Sequence, residues 1–222
     1  MKEINLVRKT KYFKTLDDQN FNAIMRCMQA RIDTFSKGDV IVHMGDKITS
    51  ALLILSGSAR SVTYDSDGNE YINLDYKKGN MFGLSDIIAQ NKVHSDSLFC
   101  LEDCSIIYLD KFRLLNPTLN RCQRHIDLMK ACFEELARQN KELKIHKDIL
   151  LLSKTQEKVM AYLTYLSQLN KSNMFDIPYS REELALYLGV ERSALSDTLS
   201  KMKKAGLIDY NKSSFKILKN VD

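Results

Sequence analysis

Arg192, Ser193, Ser196, Asp197 and Ser200 share one broad face of a helical pattern, opposite Leu195, Leu199 and Met202. A guanidinium, three hydroxyls and a carboxylate supply hydrogen-bond donors and acceptors. They lack the paired acid, base and nucleophile that catalysis needs. Most of these side chains are short, so the helix backbone can approach its target closely. That combination suits base edges in a DNA major groove, where donor and acceptor patterns distinguish the base pairs. Asp197 has two readings. It accepts from a cytosine amino group, or it pairs with Lys201 one turn on; the pairing is favoured.

The neighbouring residues build the support for this face. Ser180 followed by Glu183 is a capping box, so a helix should start at Arg181. Leu184, Ala185 and Leu188 form its apolar side, and Gly189 permits the positive φ that ends it. The helix of Arg192 then runs to about Ala205, before Gly206. Next come Leu207, Ile208 and Tyr210, a polar turn over 211–214, and Phe215, Ile217 and Leu218, which read as a β-hairpin. Two short helices around a tight turn, followed by a ribbon, are a unit that places its second helix in the major groove. Ser180, Arg181 and Lys212 are candidate phosphate contacts, and Lys201, Lys203 and Lys204 suit the helix dipole or phosphates. The alternative is an ordinary helical hairpin packed in a larger core.

The chain has 222 residues, enough for one large or two small domains. It is 27% charged and 44% hydrophobic, an ordinary soluble balance. No apolar run is long enough for a membrane span, and residues 1–16 lack the apolar core of a signal peptide, so the expected location is cytoplasmic. The net charge of +5 is compatible with DNA without demanding it. Residues 150–222 carry 11 Lys/Arg against 8 Asp/Glu, so the excess leans C-terminal. The five cysteines are scattered and odd in number, which argues against a disulfide framework; Cys100 and Cys104 have no second pair for zinc. His43, His94, His125 and His146 are isolated, and each reads as a surface or packing residue. Glu134 and Glu135 read as a solvated helix face. With no Ser/His/Asp set, no metal-ligand spacing and no glycine-rich phosphate loop, an enzyme is not expected.

Further upstream, Lys14–Cys27 looks helical, with Leu16, Phe21, Ile24, Met25 and Met28 as its stripe. From Arg31 to Asp110, short apolar runs alternate with turn signals around Gly38, Gly45, Gly57, Gly68 and Gly79, the pattern of a sandwich or barrel. After Pro117, the positions Leu119, Cys122, Ile126, Met129, Phe133, Leu136, Asn140 and Leu143 alternate spacings of three and four. That is a heptad seam with Ile126, Phe133 and Asn140 at a. The other reading of this seam is a helix packed on its own domain. Ser153 and Gln156 form a second capping-box pattern, placing a helix from Lys154 to about Leu169 and a hinge at Leu152–Ser153.

The stretch REELALYLGVERSALSDTLSKMKKAGLI resembles the winged helix of the Crp/Fnr superfamily of bacterial transcription regulators. FSKGDVIVHMGD, ALLILSGSAR, YDSDGNEYINLDYKKGNMFG and LEDCSIIYLD resemble the superfamily's effector domain, a β-roll related to cyclic-nucleotide-binding domains. The resemblance implies an α+β chain: a β-roll over 1–110, a dimerisation helix and hinge over 111–152, and a winged helix-turn-helix over 153–222. It implies a homodimer on double-stranded DNA, with Ile126, Met129, Phe133, Leu136, Asn140 and Leu143 at the dimer interface. RNA polymerase is the further partner it implies. Arg192 resembles the family's base- or phosphate-contacting Arg. Ser193 and Asp197 stand where many members carry Glu and a second Arg, so family operator sequences do not transfer.

The same resemblance defines an effector pocket and weakens there. The family's nucleotide binders use a Gly-Glu pair and, about ten residues on, an Arg-Ser or Arg-Thr pair. This chain has Gly83-Leu84-Ser85 and His94-Ser95-Asp96. Leu84 replaces the ribose acceptor, His94 replaces the phosphate cation, and Asp96 adds a negative charge near the phosphate position. The expectation is that cyclic AMP and cyclic GMP do not bind tightly. An apolar small molecule beside Leu84, Leu98, Met129 and Phe133, a haem or gas, or a pocket filled by side chains remain open. No cysteine precedes Cys27, which disfavours an iron–sulfur sensor, and no metal is expected. A protein-interaction module without DNA binding is the alternative function.

Overall fold

The computed structural model describes residues 6–14, 16–116 and 123–218. The chain divides into two compact units, 1–142 and 143–222.

The first unit is built on two four-stranded antiparallel sheets. One has the order β1(Arg31–Phe35), β8(Cys104–Asp110), β3(Ser50–Ser56), β6(Met81–Phe82). The other has the order β2(Val40–Val42), β7(Ser97–Cys100), β4(Ser58–Tyr64), β5(Glu70–Lys77). The sequence of β3, apolar on consecutive residues, follows from its position. Leu52 and Ile54 join a core with Leu74, Phe82, Leu98 and Ile106. Leu53 and Leu55 join a separate core with Phe13, Phe21, Ile24, Leu84, Leu128 and Cys132. Alternate side chains of one strand thus serve two cores, so both faces must be apolar. Gly57 ends β3 at φ 78°, and a Cβ there would lie 2.3 Å from the Asp103 carbonyl oxygen. The turn therefore requires glycine.

Helices cover one side of the first unit. The expected Lys14–Cys27 helix is α1(Asp18–Cys27), started by Asp17, whose carboxylate accepts from the Asn20 N–H. Short helices α2(Leu84–Ile88) and α3(Lys111–Leu115) follow, then the long α4(Gln123–Leu150). Leu119 and Cys122 of the predicted seam lie outside the described residues.

The face of α4 that packs on the roll is not the predicted seam. His125, Leu128, Cys132, Glu135 and Gln139 are buried. Met129 and Leu136, two of the predicted interface residues, pack partly against the same core. Ile126 and Phe133 are 58% and 57% exposed, and Leu143 and Asn140 are exposed too. The heptad pattern is thus split: Met129 and Leu136 at d support the roll, whereas the a residues and the last d residue, Leu143, are left outward.

Glu135 corrects the expectation of a solvated pair. Glu134 is exposed, but Glu135 is 0% exposed. Its carboxylate accepts from Lys11 Nζ at 2.7 Å, from Arg138 at 2.7 and 3.1 Å, from Gln139 Nε2 at 3.0 Å and from the Met81 N–H at 3.2 Å. Burial alone would raise its pKa, but these donors outweigh burial and hold it at about 2.

The second unit contains the end of α4, then α5(Thr155–Asn170), β9(Met174–Asp176), α6(Arg181–Leu188), α7(Arg192–Lys204), β10(Ile208–Asn211) and β11(Ser214–Ile217). The unit boundary lies within α4, not at the expected hinge. His146 stacks on Tyr187 with ring centroids 3.8 Å apart and bonds its carbonyl through Nε2 at 2.7 Å. The Leu150 side chain closes on Gly189. Leu152–Ser153 is therefore a connection inside one packed unit. The second capping box also does not form: Lys154 is the N-cap of α5, with no side-chain bond, so Ser153 stands one residue too early. As expected, α5 buries Val159, Tyr162, Leu163 and Leu166.

Candidate nucleic-acid interface

Local chemistry sets the helix pair as read from the residues. Ser180 Oγ accepts from the Glu183 N–H at 3.2 Å, and the Glu183 carboxylate accepts from the Ser180 N–H at 2.7 Å. Gly189 ends α6 at φ 59° in the left-handed region. Lys158 reinforces that end: its buried ammonium donates to the carbonyls of Leu188 at 3.0 Å and Gly189 at 3.4 Å. A lysine on another helix thus satisfies the carbonyls that α6 leaves open. Nothing in the sequence around Gly189 marked it.

On α7, Leu195, Leu199 and Met202 are buried, whereas Arg192, Ser193, Ser196, Asp197 and Ser200 are all exposed. Ser196 Oγ donates to the Arg192 carbonyl at 3.0 Å, a bond that occupies its proton but leaves its lone pairs. Arg192 is paired with Glu182 on α6 at 2.8 Å. Both side chains remain mostly exposed, so the pair is readily exchanged for a stronger partner. The favoured pairing of Asp197 with Lys201 is corrected: both residues are exposed, and no ion pair joins them. Of the three terminal lysines, Lys203 is engaged, with Asp209 at 2.6 Å and the Tyr210 carbonyl at 3.1 Å.

The hairpin forms as expected, except that Leu207 and Leu218 lie just outside its strands, where the Leu218 N–H donates to the Leu207 carbonyl. β10 pairs with β11, and β11 also pairs with β9, making a three-stranded sheet. Lys212 stands at its tip with φ 51°. A depression of about 460 Å³ brings Ser180, Arg181 and Lys212 together, the three predicted phosphate contacts. Arg181 is more than a surface cation. Its guanidinium lies 4.8 Å from the Phe215 ring centroid and 5.0 Å from that of Tyr210, and donates to the Lys212 carbonyl at 2.7 Å. Half-burial lowers its pKa, though an arginine stays charged. It ties the hairpin to α6 while keeping N–H donors to spare.

The residues of the predicted effector pocket are divided among different surroundings. Leu84 belongs to the core under the helices and Leu98 to the core between the sheets. Phe133 points outward, Met129 is partly buried against the first core, and Ser85 is exposed. Gly83, His94 and Ser95 do form a group. Gly83 caps α2 at φ 82°, and a Cβ there would meet His94 Cε1 at 3.2 Å. His94 is buried, stacks on Phe82 at 5.3 Å and has Nδ1 3.6 Å from the Asp86 carboxylate. Asp86 in turn accepts from Ser95 and Asn91. Burial lowers the His94 pKa, against the pull of Asp86. It also raises that of Asp96. The sequence reading weighed Asp96 and missed Asp86, the carboxylate at the centre of this group. Among the described residues, no cluster of His, Cys, Asp and Glu could hold a metal ion, and no helix is long and apolar enough to cross a membrane.

Comparison with known proteins agrees with both units. A cyclic nucleotide-binding domain model matches residues 32–116, and a Crp-like helix-turn-helix model matches residues 157–220. The chain is similar to the transcriptional activator protein FnrA of Stutzerimonas stutzeri, at 26% identity over 83% of this chain and 75% of that protein. It is 28% identical to the regulatory protein HlyX of Actinobacillus pleuropneumoniae, over 78% of this chain and 71% of that one. In fold it is similar to the c-di-GMP responsive global regulator CLP of Xanthomonas campestris, with a TM-score of 0.74 at 15% identity, over 92% of this chain and all of that one. With a roll, a long helix and a winged helix in this order, the chain belongs to the Crp/Fnr family of transcription regulators.

Proposed function

We propose that two copies of the chain pair along α4 and read a near-palindromic DNA site, each placing α7 in a major groove. One observation carries this reading. The polar face of α7 is exposed, its Arg192 pairs with Glu182 on α6, and the neighbouring residue of α6, Arg181, lines one depression with Ser180 and Lys212, so one helix pair carries both the base-reading and the phosphate-holding candidates. The outward row of Ile126, Phe133, Asn140 and Leu143 supports pairing through α4, with Asn140 fixing register. Two such helices reach successive grooves about one helical turn apart. The chain acts by binding rather than turnover, in the cytoplasm where its DNA partner is. The name of FnrA favours activation as the output, with RNA polymerase as the further partner.

The input is not a cyclic nucleotide. Leu84 is committed to an apolar core, and the Asp86 carboxylate beside His94 and Ser95, with the half-buried Asp96 next in sequence, sets negative charge among the residues that would have to hold an anion. Packing of Leu84 and Leu98 into separate cores favours a site filled by its own side chains over a haem or an apolar effector.

Selection of bound duplexes from a random pool by the full chain tests the DNA reading. The expected result is a symmetric consensus whose binding weakens steeply with salt. Binding without sequence enrichment, or none, overturns it and favours a protein partner. Calorimetry tests the input: micromolar binding of cyclic AMP or cyclic GMP overturns that part.

A further inference from the structure

The outward pole of the reading helix carries an acid without a counter-charge. At 3.6 residues per turn, Asp197 lies about 170° from the mean direction of Leu195, Leu199 and Met202, whereas Arg192, read from the sequence as part of the opposite face, lies only about 50° from it. Asp197 is exposed, and among the described residues no cation stands within ion-pair reach. Arg192 is already engaged by Glu182. The residue that projects furthest from α7 near its middle is therefore a bare carboxylate.

Such a group carried into a groove between two rows of phosphates loses hydration and meets negative potential. Only an N–H donor on a base edge compensates it. The major groove presents two, the amino groups at cytosine N4 and adenine N6. Beside adenine N6 stands the N7 lone pair, which repels the second carboxylate oxygen. Beside cytosine N4 stands the C5–H, which does not. Guanine and thymine offer only acceptors and a methyl group on that edge.

We propose that Asp197 is a specificity-determining residue that accepts a hydrogen bond from the N4 amino group of a cytosine, so that each half-site carries an obligatory cytosine at one position. This rests on the DNA reading proposed above. Arg192, five residues earlier and about 7.5 Å along the helix axis, contacts a different base pair.

The experiment compares the full chain with Asp197→Ala and Asp197→Asn, first by selection from a random duplex pool. Competition binding then uses duplexes varied at each symmetric position. The natural chain should prefer cytosine at one position by roughly tenfold. Asp197→Ala should lose that preference while keeping the rest of the consensus. Asp197→Asn, which matches adenine N6 and N7, should move the preference to adenine at the same position. The gain in the Asn variant cannot come from misfolding. A consensus that Asp197→Ala and Asp197→Asn leave unchanged overturns this inference alone. No consensus from the natural chain overturns the DNA reading and this inference with it.

Discussion

Leu84 and His94 sit inside the roll, Ser193 and Asp197 on the outer face of α7, and their surroundings accommodate them differently. The interior pair is built in: Leu84 fills an apolar core, and His94 stacks on Phe82 beside Asp86. The exterior pair is held by little: Ser193 and Asp197 are exposed, and Asp197 has no counter-charge. A changed residue inside a close-packed unit forces its neighbours to change with it. A changed residue on a reading face leaves the fold alone and changes what is read. Undoing the interior differences should therefore cost stability without restoring a nucleotide site, while exterior changes should alter binding without unfolding the chain.

The largest effect tests the interior half. Leu84→Glu with His94→Arg restores the residue types of the nucleotide-binding relatives. Here it should destabilise the chain by about 4 kcal/mol or more, because the new carboxylate enters an apolar core with no partner. Denaturant unfolding reads the loss and calorimetry should find no cyclic AMP binding. A stable double variant that binds the nucleotide would show that two residues alone separate this roll from a nucleotide binder.

Glu135 gives the next largest effect and has a pH signature. Glu135→Gln should cost about 3 kcal/mol by leaving Lys11 and Arg138 without their counter-charge. The folded carboxyl titrates at about 2, below its ordinary value of 4.5, so unfolding takes up a proton over that range. Its contribution is complete above pH 4.5 and falls away as pH drops toward 2. Unfolding curves of the natural chain at descending pH should show the decline, and Glu135→Gln should flatten it.

What was legible in the sequence follows the range of the interactions involved. The ends of α6 and the stripe of α7 depend on residues within one or two turns, so Ser180, Glu183, Gly189 and the apolar spacing located them. Lys11 and Glu135 are 124 positions apart, and no local pattern announces a partner so distant. The same limit hid Arg181 against the hairpin and Lys158 at the end of α6. The heptad on α4 was legible as a pattern but not as a partner. A three-four spacing of apolar residues shows that a face is apolar, but the face that is buried beside it carries His125, Glu135 and Gln139 along with Leu128 and Cys132, so hydropathy did not mark it. The surroundings of the effector candidates were hidden for another reason. A resemblance gives residue types, whereas the core that each side chain enters depends on how α2, β7 and α4 pack.

Arg192→Ala tests the exterior half and should separate binding from stability. Specific DNA binding should weaken by about 1–3 kcal/mol in a mobility-shift titration. The melting transition should barely move, since the pair with Glu182 is a surface ion pair. An unfolding loss as large as the binding loss would mean that α7 needs Arg192 to stand, and the contrast between interior and exterior would fail there.

Ser180 lies on the boundary between the two kinds of position and has the smallest effect. It caps α6 and also lines the depression with Arg181 and Lys212. Ser180→Ala removes the acceptor for the Glu183 N–H and should cost about 1 kcal/mol of stability. That change alone cannot tell a cap from a phosphate contact. Ser180→Asp can, because aspartate caps as well as serine but sets a negative charge where a phosphate would approach. It should keep the natural melting transition and bind DNA more weakly, with a shallower salt dependence. If Ser180→Asp binds like the natural chain, Ser180 is a cap alone and phosphate holding falls to Arg181 and Lys212.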